Sequence, residues 1–325
     1  MDNVVEGMKA KGFTYLGIVE GEKIFCNLDS EESINNCLEF LEKLTGEEWE
    51  TFKEESGNKN LVFYKTSMYF DMLDFYLVFR GGKYVELPLN CSSCEHMFQN
   101  CKLPEGFTLG DDFDTSHVVS MNGMFQNCRL PEDFSLGDNF DTSHVIRMNG
   151  MFGNCILPKG FSLGNKFNTS RVEDMNSMFY GCKLPEGFSL GDKFDTSKVG
   201  DMRGMFCNCF LPEGFTLGDK FNTSIVKDMH NMFFNCRLSE DFSLGDKFDT
   251  SSVENMDSMF YNCKLPEGFS LGDKFDTSRV KDMGYMFYNC KLPEGKARED
   301  FNSEIEIIEW LNSRSKQSAG KLSVF

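Results

Sequence analysis

The stretch CSSCEHMFQNC, residues 91–101, brings thiols and an imidazole together. Cys91 and Cys94 have the C-x-x-C spacing of a zinc knuckle or a redox dithiol, and His96 and Cys101 follow closely. The chain holds 13 cysteines, which would form disulfides in a secreted protein and serve metal binding, catalysis or simple burial in a cytosolic one. Their spacing decides. Cys101, Cys128, Cys155, Cys182, Cys209, Cys236, Cys263 and Cys290 are each 27 residues apart. A thiol at one fixed place in every repeat is a small apolar group filling a repeated corner. Parallel side chains one repeat apart also point the same way, a poor geometry for a disulfide.

The other chemically suggestive columns give way to plainer readings. Asp111, Asp138, Asn165 and Asp192 form one column, and Asp114, Asp141, Asn168 and Asp195 another. Calcium needs six to eight oxygens converging on one point. Here Lys166, Lys193, Lys220, Lys247 and Lys274 interleave with the acids, so capping and a charge ladder are expected. His117 and His144 share a column, but nothing supplies further ligands. The Thr-Ser pair does not make an ice-binding face, because adjacent strand residues point opposite ways. No Ser/His/Asp set, phosphate loop or dinucleotide fingerprint stands out. The sequence therefore assigns no catalytic residue, no metal and no cofactor.

These columns belong to a repeat of 27 residues, one copy of which reads CKLPEGFSLGDKFDTSKVGDMRGMFCN over 182–208. Seven copies follow one another without insertion and an eighth stops at Gly295. A fixed period of this length signals units that bury their apolar faces against their neighbours. The least variable positions are Cys101, Leu103, Phe107, Leu109, Phe113, Val118, Met121, Met124 and Phe125 with their equivalents, and these are the expected core. L-P-E-G at Leu103 predicts a type I turn with Pro second. Phe107-Thr108-Leu109 alternates and predicts a short strand with Phe and Leu inward. Gly110 and its equivalents predict positive φ or a close approach. Asp-Thr-Ser opens the V-x-x-M-x-x-M-F segment as a helix start would. That segment fits a short helix, a 3-10 turn, or an irregular strand entering one helical turn. The column Asn127, Asn154, Gly181, Asn208, Asn235, Asn262, Asn289 exchanges Asn only with Gly, the mark of a left-handed residue. Units stacked at strand spacing would rise about 4.8 Å each.

The unit F-D-T-S-x-V-x-D-M-x-x-M-F-x-N-C-x-L-P, over residues 91–295, resembles the BspA-like leucine-rich repeats and the related mycoplasma-type surface lipoprotein repeats, whose pattern is W-D-T-S-x-V-x-x-M-x-x-M-F. The resemblance implies a solenoid used to bind other molecules. Phe113 and Phe140 stand where the family often has Trp, and the start MDNVVEGMKAKGF shows no secretion signal or lipoprotein cysteine.

The expected architecture is an α+β N-terminal domain or cap (1–88), a leucine-rich-repeat-like β-solenoid of about eight 27-residue rungs (89–295), and a C-terminal capping helix with a polar tail (296–325). In the first part, residues 13–28 predict a hairpin turning at Glu20-Gly21 and Asp29/Glu32 open a helix to about Ser56. LVFYKTS follows as a strand, and DFYLVFRGGKYVELPL as a second hairpin closed at Gly81-Gly82. At the other end Ser303 and Glu306 are spaced as a capping box, and Ile305, Ile308 and Leu311 share one face, with Ile307 and Trp310 beside it.

A net charge of −18 argues against binding nucleic acid directly and suits a partner with a basic groove, such as a nucleic-acid-binding protein. No run approaches the length of a membrane helix, and the expected location is the cytoplasm. The columns left free by the repeat carry the binding candidates. One holds Tyr180, Phe234, Tyr261 and Tyr288, with Phe210 and Tyr285 nearby; another holds Arg171, Lys198 and Arg279. Aromatic residues and arginine anchor protein interfaces. The functional expectation is a non-enzymatic protein-binding repeat protein, an intracellular inhibitor or effector. The alternatives are a surface adhesin and an enzymatic N-terminal domain on a repeat scaffold. Aligned on Met97-Phe98, CSSCEHMFQNC becomes the opening rung: Cys91 falls in the Val118 column, Cys94 in the Met121 column, Cys101 in the Cys column, and His96 at the free surface position of Gly123.

Overall fold

The computed structural model describes residues 13–19, 22–27, and 93–322 apart from 101, 102, 104, 105, 108 and 110–112. Strand β1 (Phe13–Val19) pairs antiparallel with β2 (Glu22–Asn27), Val19 opposite Glu22, so the two flank the Glu20-Gly21 turn. The register shifts between Tyr15 and Gly17. The helix expected from Asp29, the LVFYKTS strand and the Gly81-Gly82 hairpin lie outside the described residues.

From Ser93 onward each unit lies over the next in parallel, offset by 27 residues. Single bridges join Ser93 to Ser120, Ser120 to Arg147 and so on to Asp282, and a second column runs from Lys183 through Phe210 and Arg237 to Lys291. Between these columns the backbone is neither helix nor strand. Met124, Gln126 and Cys128 donate their N–H to the carbonyls of Met121, Gly123 and Phe125, closing three consecutive turns. The intervening N–H groups of Gly123, Phe125 and Asn127 reach across to Asn149, Met151 and Gly153 of the next unit, at 2.7–2.8 Å. A helix would keep every N–H to itself. Here half go to the neighbour, and positive φ at Gly123 (57°) and Asn127 (56°) accompanies this alternation. Asn154, Gly181, Asn208, Asn235, Asn262 and Asn289 are left-handed too, as the Asn/Gly exchange implies.

The core consists of ladders. Phe, Leu, Met, Val and Cys at the repeating positions are buried, and rings stack on their equivalents in the next unit. In the Phe125 column the centroids are 5.2–5.7 Å apart. In the Phe134 column they are 6.1–6.5 Å apart, and in the Phe140 column 6.3–6.5 Å. Equivalent atoms of successive units are therefore closer on the Met-Phe side, and the stack bends toward it.

That difference accounts for a correction. Phe161 and Leu163 point inward and Ser162 outward, as alternation predicts, yet Phe161–Leu163 and Phe188–Leu190 exchange no backbone bonds. Strand pairing needs about 4.8 Å, and the side carrying these segments is spread wider than that. An open crevice of about 430 Å³ separates them instead, lined by Ser162, Gly164, Ser189 and Gly191 among others. Gly164 and Gly191 have φ of 81° and 80°, so the positive-φ reading of that glycine column holds where it is described. The Pro turn also sits one residue later than expected. Phe188 N–H closes on Pro185 O, with Gly187 (φ 75°) third in the turn, a position that type II turns require to be left-handed.

Asp-Thr-Ser makes a turn rather than a helix start. The carboxylate of Asp195 accepts the N–H of Ser197, and Asp141 and Asp249 do the same with Ser143 and Ser251. The intervening Thr is fully buried, and its hydroxyl ties two units together: Thr223 donates to Asp249 O and accepts from Asp249 N–H, both at 2.8 Å.

Helix α1 (Glu304–Leu322) lies against the last unit. Its buried residues are Ile307, Ile308 and Leu311, with Trp310 packed beside Phe301. Ile305, expected on that face, is 40% exposed. The capping box forms only in half: Ser303 accepts the Glu306 N–H, while the Glu306 carboxylate takes the N–H of Asn302. The stretch read as a polar tail is helical to Leu322.

Candidate functional site

The Met-Phe turns set the geometry of the candidate face. Met121, Met124 and Phe125 point into the core, so the residue after each Phe faces outward from the side where units lie closest. Aromatics in that column must stack. Phe234 and Tyr261 do so at 4.6 Å, and Tyr261 and Tyr288 at 5.2 Å. Tyr285, which itself has a φ of 54°, stands edge-on to Tyr288 at 5.7 Å. The run ends in open solvent, with Tyr285 63% and Tyr288 47% exposed.

The remaining candidates are placed apart from this run. Tyr180 belongs to the same column, but buried Cys207 intervenes before Phe234. Phe210 sits on the second bridge column, with Lys183 Nζ 5.7 Å and Arg237 Cζ 5.0 Å from its ring centroid. Arg171, Lys198 and Arg279 are exposed in the column following the Asp-Thr-Ser turn, separate from the stack.

Sequence reasoning passed over the first bridge column. Asp174, Asp201 and Asp228 follow one another there, and each carboxylate accepts the N–H two residues on. Their charge is met from the next column. Arg203 lies 2.7 Å from Asp201 and 3.9 Å from Asp228, and these carboxylates raise its already high pKa further. His230, the equivalent of Arg203 one unit on, lies 3.2 Å from Asp257 of its own column. Only one residue per unit pairs here, and its type varies, so no alternation marked it in the sequence.

The opening motif is a unit edge. Ser93 bridges Ser120 and Cys94 is buried in the Met121 column, while Cys91 and Cys101 lie outside the described residues. His96 is not at a free surface position: its ring is half-buried over Gly123, where a β-carbon would overlap it. Among the described residues no group of three or more His, Cys, Asp or Glu could hold a metal, and no helix is long and apolar enough to cross a membrane.

No curated protein and no solved structure matches the chain. The family model described as "Mycoplasma protein of unknown function, DUF285" matches residues 92–210 and 188–301, which span all the stacked units and more than half of the chain. The chain thus belongs to the DUF285 family of repeat proteins.

Proposed function

We propose that the chain is a non-enzymatic, protein-binding repeat protein whose stacked units form a BspA-like, leucine-rich-repeat-like solenoid. The carrying observation is the run Phe234–Tyr261–Tyr288 with Tyr285, stacked at 4.6 and 5.2 Å and ending exposed. The core already has its own Phe ladders, so these rings add little to it. Large, rigid aromatics presented by a fixed backbone lose little entropy on binding and are typical interface anchors. Arg171, Lys198, Arg279 and Tyr180 are rim positions in this proposal, and Phe210 with its two cations is a second anchor. A cytoplasmic inhibitor acting on a partner with a basic groove fits the charge of −18. The test is recovery of a partner from native lysate by the wild-type chain and by Tyr261→Ala/Tyr288→Ala. Loss of one specific partner with the double variant is expected; equal recovery overturns the role of the stack.

A further inference from the structure

In the middle units a cationic side chain of the chain itself lies between two carboxylates, and the equivalent position of the last unit carries no side chain. Arg203, between Asp201 and Asp228, and His230, beside Asp257, occupy equivalent positions one unit apart. Two units further along from His230, the same position is Gly284. A β-carbon built there would stand 3.0 Å from Asp257 Oδ1 and 3.3 Å from Asp282 Oδ1. Asp282 Oδ1 accepts the Gly284 N–H, and the other Asp257 oxygen meets His230 and the Ser258 hydroxyl. Two carboxylates held by the chain thus converge where Arg203 has its side chain and Gly284 has none. The next residue is Tyr285, whose ring meets that of Tyr288 at 80°.

We propose that this corner of the last two units receives an arginine or lysine side chain of a protein partner, the cation lying against the Tyr285 and Tyr288 rings. The inference rests on the aromatic run being a protein-binding surface and names the chemistry that surface recognises. Ring faces attract cations through their quadrupole, and this chain shows the preference elsewhere. Arg237 and Lys183 lie over Phe210, and Arg314 lies 4.9 Å from the Trp310 centroid. Among the described residues no cation lies over Tyr285 or Tyr288. The corner therefore differs from the other ring–cation pairs in having its acceptor faces in solvent. The adjoining carboxylates and the charge of −18 favour a cationic guest and repel a phosphate backbone.

The experiment uses the full chain and four probes: a Gly/Ser peptide bearing two arginines, its citrulline twin, its glutamate twin, and a short single-stranded DNA. Binding is followed by NMR at the backbone amides of residues 282–291. The arginine peptide is expected to bind at least tenfold more tightly than the other three. Tyr285→Ala/Tyr288→Ala should weaken it about tenfold, and Tyr285→Phe/Tyr288→Phe should restore it. Both positions are exposed, and an unchanged thermal unfolding profile checks that the variants fold. Absence of binding, equal binding of the citrulline twin, preference for the glutamate peptide or DNA, or wild-type affinity in the Ala variant each overturns the proposal. If these titrations fail while partner recovery still depends on Tyr261 and Tyr288, the cation falls and the protein-binding reading stands. If recovery fails while the titrations succeed, the reverse holds.

Discussion

Cys182, Cys209, Cys236 and Cys263 each donate the S–H to the carbonyl of a Phe thirty residues earlier, at 2.7–2.9 Å. The thiol is thus both a small core group and the partner of a buried carbonyl. Burial pushes Cys182 and Cys263 up to about 12 and Cys207 to about 11. The thiolate is the reactive form, so these cysteines should resist an aromatic disulfide reagent at pH 8 until the chain unfolds. Rapid labelling of the native protein would contradict the burial. The pKa is raised on folding, so the thiol contribution is fully present below about pH 9 and is lost as pH rises through about 12. The denaturation midpoint should therefore fall between pH 9 and 11, and a flat profile would contradict it. At this scale the sequence was informative: comparing units separated buried columns such as Cys128 and Phe125 from free ones. It could not reveal pairing at Asp174 or Asp201, where backbone geometry matters and side-chain type does not.

At the scale of the element, side-chain alternation and backbone pairing proved to be separate properties. Phe161-Ser162-Leu163 has the period of a strand because its side chains alternate in and out, and period alone says nothing of the distance to the next unit. The wide side of the stack withholds the ladder, and the closely spaced turns, whose sequence looked helical, receive it. The Asn/Gly column was readable because a left-handed residue restricts composition. Where backbone bonds are sparse, Thr carries the connection. Thr223→Val keeps the shape but leaves the Asp249 N–H and carbonyl without their hydroxyl partner. The expected cost is about 2 kcal/mol, with Thr223→Ser milder, measured by urea denaturation. A Val variant as stable as wild type would show that the Thr ladder adds nothing beyond its methyl group.

Across the whole molecule, α1 closes a stack that would otherwise end on an exposed unit. It covers the last unit with Ile307, Ile308 and Leu311, tied by Arg298 to Glu304 at 2.9 Å and by Arg314 to Glu294 at 3.0 Å. Without it, the apolar side of the last unit that Ile307, Ile308 and Leu311 cover faces solvent and offers a surface to another chain. A chain ending at Phe301 should therefore self-associate, seen by light scattering against the full-length protein. A monomer of unchanged stability would show the cap to be dispensable. The sequence showed that a helix follows the repeats and put Ile308 and Leu311 on its buried face, but counted Ile305 with them where Ile307 is buried, because the three isoleucines are equally apolar and only docking distinguishes them.

Among the described residues, junctions between neighbouring units share the same parts: a Thr hydroxyl on a carbonyl, ring on ring, a bridge on one side of the turns and, from Arg129 onward at all but the Ile156–Lys183 step, a bridge on the other. Removing residues 182–208 would bring Cys209 after Gly181, and the new neighbours would meet through the same contacts as the old. The molecule can thus shorten or lengthen in whole units without inventing a new interface. Each such change would slide Phe234, Tyr261 and Tyr288 along the stack relative to Tyr180 and Phe210. Duplication and loss of units would then be a way to vary the spacing of these aromatic groups while leaving the energetics of the stack nearly untouched.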